Sequence, residues 1–191
     1  PPPGFRPAER LGIPVLQPER PARRVVLRGQ LLWKLAGISE EVALERNIIS
    51  GNTNDGITLY YAPTTGTVIQ GNYIGTDVTG MSPLGNGESG IEFQQVPDGR
   101  VGGTTPAERN VISGNEFGIF FMDTGTQVLI EGNYIGTNAA GTDALPNQVG
   151  IWTLNGTNNQ IGGATAASRN IISGNVTGIK LSGINNRVQG N

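Results

Sequence analysis

From residue 46 onward the apolar residues come in runs of only three to five, each interrupted by Gly or Asn. Ile57-Thr58-Leu59-Tyr60 and Thr67-Val68-Ile69-Gln70 are representative. Runs this short, bounded by turn residues, predict strands that place alternate side chains on opposite faces. A helix is disfavoured, because each Gly in its interior costs about 1 kcal/mol relative to Ala.

The pattern repeats. Arg46-Asn47-Ile48-Ile49-Ser50-Gly51-Asn52 returns as Arg109-Asn110-Val111-Ile112-Ser113-Gly114-Asn115 and as Arg169-Asn170-Ile171-Ile172-Ser173-Gly174-Asn175. Between these, Gly71-Asn72-Tyr73-Ile74-Gly75-Thr76-Asp77 returns as Gly132-Asn133-Tyr134-Ile135-Gly136-Thr137-Asn138. A shorter Gly-Ile motif recurs at Gly56, Gly90, Gly118, Gly150 and Gly178, spaced by 34, 28, 32 and 28 residues. The unit of about 60 residues is therefore two structural turns, and such a period predicts a solenoid. Each coil of about 30 residues is expected to hold two or three strands. Polar insertions alternate between coils: 77–88 and 138–148 in one kind, 104–108 and 164–168 in the other.

Asn has a physical role in such a stack. An inward Asn bonds its counterparts in the coils above and below, and it also tolerates left-handed turns. Asn47, Asn72, Asn110, Asn133 and Asn170 are the ladder candidates. Asn52, Asn115 and Asn175 follow Gly and read as turn residues.

Composition divides the chain. All 18 Asn and 26 of the 30 Gly lie in 46–191, while 1–45 hold seven of the 12 Pro. Residues 1–24 read as a leader, 25–45 as an N-terminal cap or degenerate first coil, and 46–191 as the repeats. The first coil is expected to begin near Val25, with Val25 to Leu35 as its opening strand or an amphipathic cap. Counting nine back from Asn47, as Val101 precedes Asn110, lands on Ile38. The end at Arg187 to Asn191 falls in mid-coil, the pattern expected of a piece of a longer array.

The absence of Cys and His removes disulfides, thiolate and imidazole metal sites and Ser–His or Cys–His catalysis. A net charge of −2, thinly spread, gives no footprint for nucleic acid. No apolar run is long enough for a membrane helix, and no signal peptide is visible in this segment.

The repeat motifs, with Val/Ile-Gly-Gly before a Thr/Ala-rich loop, resemble parallel β-helix repeats of large secreted or cell-surface bacterial proteins, an architecture shared with the pectin-lyase-like superfamily. The resemblance covers about 38–191. It implies an all-β, right-handed, single-stranded parallel β-helix of about five coils, the handedness that parallel crossovers also favour. It does not fix function, because this coil carries lyases, hydrolases, epimerases, adhesins and spacers.

With Ile57, Ile91, Ile119, Ile151 and Ile179 inward, Thr58, Glu92, Phe120, Trp152 and Lys180 point outward, as do Tyr60, Gln94, Met122, Leu154 and Ser182 two residues on. Tyr60, Glu92, Phe120, Trp152 and Lys180 form an expected exposed stripe suited to sugar rings or a protein partner. For cleavage chemistry Glu92 is expected near Asp123, with the remaining acids scattered. Calcium is conceivable at Asp77 with Asn86, although the equivalent positions in the next unit, Asn138 and Asn147, lose the only charge, which favours a turn role; no cofactor is expected. Arg46, Arg109 and Arg169 read as braces for carbonyls, and Tyr73 and Tyr134 as stacking pairs.

The sequence therefore points to a non-enzymatic β-helix module of a secreted or surface protein, a rigid spacer or adhesion surface, with no metal and no membrane insertion. The alternative is a carbohydrate-binding or polysaccharide-cleaving domain, a lyase or hydrolase, using the aromatic stripe. A further alternative is end-to-end self-association into filaments.

Overall fold

The computed structural model describes residues 26–27, 46–60, 66–123 and 125–191. The expected leader at 1–24 lies outside them, as does the cap at 25–45 apart from strand Val26–Leu27.

Three parallel sheets run along the molecule. The first contains Val26–Leu27, Thr67–Ile69, Gly99–Gly102, Leu129–Glu131, Gln160–Gly162 and Arg187–Gln189. The second contains Ile48–Ile49, Tyr73–Ile74, Val111–Ile112, Tyr134–Ile135 and Ile171–Ile172. The third contains Ile57–Tyr60, Ser89–Gln94, Phe117–Phe121, Val149–Thr153 and Thr177–Leu181. The chain visits the second, third and first sheets in turn, once per coil, and each strand pairs with its counterpart in the next coil. The result is a parallel β-helix of about five coils. Among the described residues the helical content is a single 3-10 turn, Ala166–Ser168.

The core is a set of stacked rows. Ile57, Ile91, Ile119, Ile151 and Ile179 are in register in the third sheet. Ile49, Ile74, Ile112, Ile135 and Ile172 form a second row. Ile69, Val101, Ile130 and Ile161 form a third, and all four are fully buried. Beside the first row, Phe93 stacks on Phe121 with centroids 4.8 Å apart. Each fully buried Ile or Phe contributes about 1.5–3 kcal/mol of transfer free energy, so every coil is anchored on three sides.

Two Asn ladders hold the corners. In the first, Asn47 donates through Nδ2 to Asn72 Oδ1 at 2.8 Å, Asn72 to Asn110 at 3.1 Å, Asn110 to Asn133 at 2.9 Å and Asn133 to Asn170 at 3.1 Å. Asn191 adds a further rung, accepting from Asn170 at 2.8 Å. The second ladder runs Asn52, Asn86, Asn115, Asn147 and Asn175, with amide-to-amide distances of 2.8, 2.9, 3.3 and 2.9 Å. This corrects the reading of Asn52, Asn115 and Asn175 as turn residues. The backbone turns there, but each side chain bonds a neighbouring coil: Asn52 and Asn115 the next one, Asn175 the preceding one. In both ladders the acceptor Oδ1 also takes a backbone N–H, and most Nδ2 groups reach a main-chain carbonyl besides. One side chain thus joins three coils, satisfying backbone groups that the turns would otherwise leave buried and unpaired.

The two-coil period follows from unlike neighbours. Ser50 and Ser113 donate to Thr76 O and Thr137 O at 2.7 and 2.8 Å and accept from the N–H of Gly75 and Gly136. A side chain at Gly75 (φ +85°) would strike Ser113 O and Asn115 of the following coil. Arg46 lies 3.8 Å over the Tyr73 ring and Arg109 4.1 Å over Tyr134. Their Nε groups, with that of Arg169, donate to Gly71 O, Gly132 O and Gly190 O. An Arg–Ser coil therefore needs a Gly–Tyr coil next to it, and the repeat is the pair.

Candidate functional site

The outer face of the third sheet carries the unusual side chains. Register places Thr58, Glu92, Phe120, Trp152 and Lys180 in one row, as the alternation requires. Tyr60 lies two residues along, opposite Gln94, and is 61% exposed. The row is less open than the exposed stripe expected from the sequence. Phe120 and Trp152 are half-buried, and Glu92 is only 5% exposed.

The reason is mutual packing. Phe120 meets Trp152 at 5.1 Å, and Phe117, at the foot of the same strand, meets both rings at 5.0 and 5.5 Å. Lys180 closes the group with its ammonium 3.8 Å from the Trp152 ring centre. Both contacts are of the kind favoured by the ring quadrupole. Trp152 Nε1 is buried with no hydrogen-bond partner. The group is an aromatic patch of three rings with one cation on top.

The acidic end of the row is arranged differently from the sequence expectation. Glu92 faces Asp55 and Glu88 rather than Asp123, and one carboxylate oxygen from each of the three lies within 4.8 Å of the others. Asp123 instead accepts from Gln95. The acids are therefore not all scattered: Asp55 stands at the corner just before its strand, and stacking brings it against the next coil. Linear spacing, 37 residues between Asp55 and Glu92, conceals this.

Burial, and then a hydrogen bond with Asp55, push the Glu92 carboxyl above its ordinary 4.5, and the charges of Asp55 and Glu88 add to this against a donated bond from Gln94. Burial pushes Asp55 up as well, but bonds from Glu92, the Ser89 N–H at 2.8 Å and the Thr58 hydroxyl at 3.1 Å bring it below 3.8. Two carboxyls this close disfavour ionising together, and the pair sets one value up and the other down. Because Glu92 titrates higher folded than unfolded, its contribution is present below pH 4.5 and is lost as pH rises through the folded value. Asp55 acts oppositely: its contribution is present above 3.8 and is lost as pH falls through the folded value. The expected result is a Glu92 contribution to the melting temperature that is lost as pH rises from 4.5 through the folded value in the wild type and is absent in Glu92→Gln, whose amide donates to Asp55 at every pH. Parallel melting curves against pH for the two proteins would contradict the raised Glu92 value.

The conceivable calcium pair is not brought together. Asn86 is a buried rung of the second ladder, accepting from both Asn52 and the Asn52 backbone. The Asp77 carboxylate is taken by its own loop, accepting from the Thr79 hydroxyl, Met81 N–H and Ser82 N–H. The Thr79 bond foremost holds its pKa down.

No curated protein and no solved structure matches the chain. A family of β-helix proteins does match, over residues 35–166. That span covers the acid group, the three rings of the aromatic patch without Lys180, and the ladders as far as Asn133 and Asn147. With 132 of its 191 residues in the match, the chain belongs to the family described as periplasmic copper-binding protein (NosD).

Proposed function

We propose that this chain is a non-enzymatic scaffold of the cell envelope. Its stacked coils form a stiff body that holds the aromatic patch of the third sheet at a fixed place for a partner. One observation carries the reading: the polar side chains in the interior are committed to joining coils. Asn72, Asn110, Asn133 and Asn147 are fully buried and bonded on both sides. The family's periplasmic description fits an envelope location, and no helix among the described residues is long and apolar enough to cross a membrane.

Within this reading the partner surface is Phe120, Trp152 and Lys180, with Tyr60 and Glu92 toward the first coils. Half-exposed rings beside one cation suit a sugar or a protein surface. Cleavage is disfavoured, because hydrolases separate their two carboxyls by about 5–9.5 Å, whereas Asp55 and Glu92 are bonded to each other. Turnover of pectin or alginate, with or without Ca²⁺, would overturn the scaffold reading.

The carbohydrate reading is tested by glycan arrays followed by titration. If a neutral or acidic glycan binds, Trp152→Ala should weaken it at least tenfold, equivalent to about 1.4 kcal/mol. Trp152→Phe, which keeps the stack and removes the unpartnered indole N–H, should retain most of the affinity. No hit on any glycan would eliminate the sugar reading and leave a protein partner for the patch.

A further inference from the structure

The family is described as copper-binding, and the residues of this chain do not fit that ion. We infer that this chain holds no copper of its own, so that any copper reaching its surroundings is bound by donors outside these residues.

Copper(I) is selected by thiolate and thioether sulfur, and copper(II) by imidazole nitrogen. The chain has no Cys and no His, and only two Met. Those two cannot share an ion. Met81 lies in the corner loop that precedes strand Ser89–Gln94, and Met122 directly follows strand Phe117–Phe121. They therefore lie on opposite sides of the paired strands Ser89–Gln94 and Phe117–Phe121, one before and one after, and a strand of five residues is roughly 16 Å long. Each is half-exposed, and neither has a second sulfur beside it.

Among the described residues, the donors of the ladders, the aromatic patch and the acid group are already engaged. The buried Asn amides of the two ladders bond coil to coil. The open face of Trp152 is covered by Lys180 at 3.8 Å, and a cation there repels a second one. Asp55, Glu88 and Glu92 offer oxygen only, a set suited to hard ions such as calcium or magnesium rather than to copper. Asp55 and Glu92 are hydrogen-bonded to one another, and an arriving ion would have to break that contact.

The test is equilibrium dialysis of the whole chain against Cu(I) with reductant and against Cu(II), each beside a competing chelator, with bound metal read by elemental analysis. Copper is expected to follow the chelator in both oxidation states, with no ion retained per chain. Weak Cu(II) uptake that Mn²⁺ or Ca²⁺ displaces and that Glu92→Gln removes would agree with the inference, being unselective attachment to carboxylates. Retention of one copper per chain against the chelator would overturn it. Loss of that copper in Met81→Leu, Met122→Leu or Glu92→Gln would then locate the donor. Because the readout is metal content, a negative result leaves the scaffold function standing.

Discussion

Asn133→Ala is expected to destabilise the protein by about 3–5 kcal/mol, well above the cost of the same change at Asn52. Asn133 is fully buried. Its Oδ1 accepts from the backbone N–H and side-chain amide of Asn110 at 3.2 and 2.9 Å. Its Nδ2 donates to Val101 O, Glu131 O and Asn170 Oδ1. Truncation leaves donors of one coil and carbonyls of another inside the protein without their partner, at about 1–3 kcal/mol for each buried group. Asn52 is an exposed rung whose side chain makes one amide bond, to Asn86. Its truncation should cost below about 1 kcal/mol. Chemical denaturation of the two variants checks the contrast. Equal losses would mean that the ladder carries no special load at the centre of the stack.

Gly102→Ala is expected to abolish the native fold or to leave it only marginally stable. Gly102 ends its strand at φ +83°, in the left-handed region that costs other residues about 1–2 kcal/mol. Steric conflict is the larger effect. A Cβ at this position would collide with Glu131 O and with the Asn133 side chain of the next coil. Both are held by the ladder and the sheet register, so the coils would have to move apart, a loss above about 4 kcal/mol. Gly66 provides the control. It has φ +69° but nothing within 4 Å of its would-be Cβ. Gly66→Ala should therefore show the backbone cost alone, about 1 kcal/mol. Melting temperatures and soluble yield of both variants separate conformational strain from coil contact. A well-folded Gly102→Ala protein would mean that the coils are spaced more widely than described.

Much of this architecture is legible in the sequence, and the boundary has physical causes. The Gly-Ile repeats give the inward row directly, because a strand face alternates with period two and a coil returns each strand to its own neighbour. The tyrosine and arginine of alternating coils are visible as a period of about 60, but their contact is not, since it joins residues such as Arg46 and Tyr73 across coils. The second ladder was hidden by its local motif. Ser-Gly-Asn reads as a turn, and Gly51, Gly114 and Gly174 do adopt positive φ. A signal was nevertheless present. Asn52, Asn86, Asn115, Asn147 and Asn175 each stand three or four residues before a Gly-Ile pair, so counting back from that motif finds every rung.

The candidate site was legible only as a row. Alternation placed Glu92, Phe120, Trp152 and Lys180 on one face, but it cannot tell an exposed stripe from side chains that lean on one another. Phe117 closes over Phe120 and Trp152, and Lys180 caps the ring. The acid group was missed because Asp55 lies at a corner, where alternation no longer fixes direction, and because its partners Glu88 and Glu92 belong to the next coil.

Inward Asn side chains lock the coils into one cooperative body. Hydrogen exchange of the Asn side-chain amides, followed by NMR with assigned Nδ2 protons, tests it most directly. Asn72, Asn110, Asn133 and Asn147, buried and bonded between coils, should exchange only through global unfolding, as slowly as the backbone of the Ile rows. Exposed Asn52 and Asn185 should exchange far faster. Rapid exchange of the four inner amides, in a protein whose strand backbone remains protected, would contradict the ladder and with it the rigid scaffold built on it.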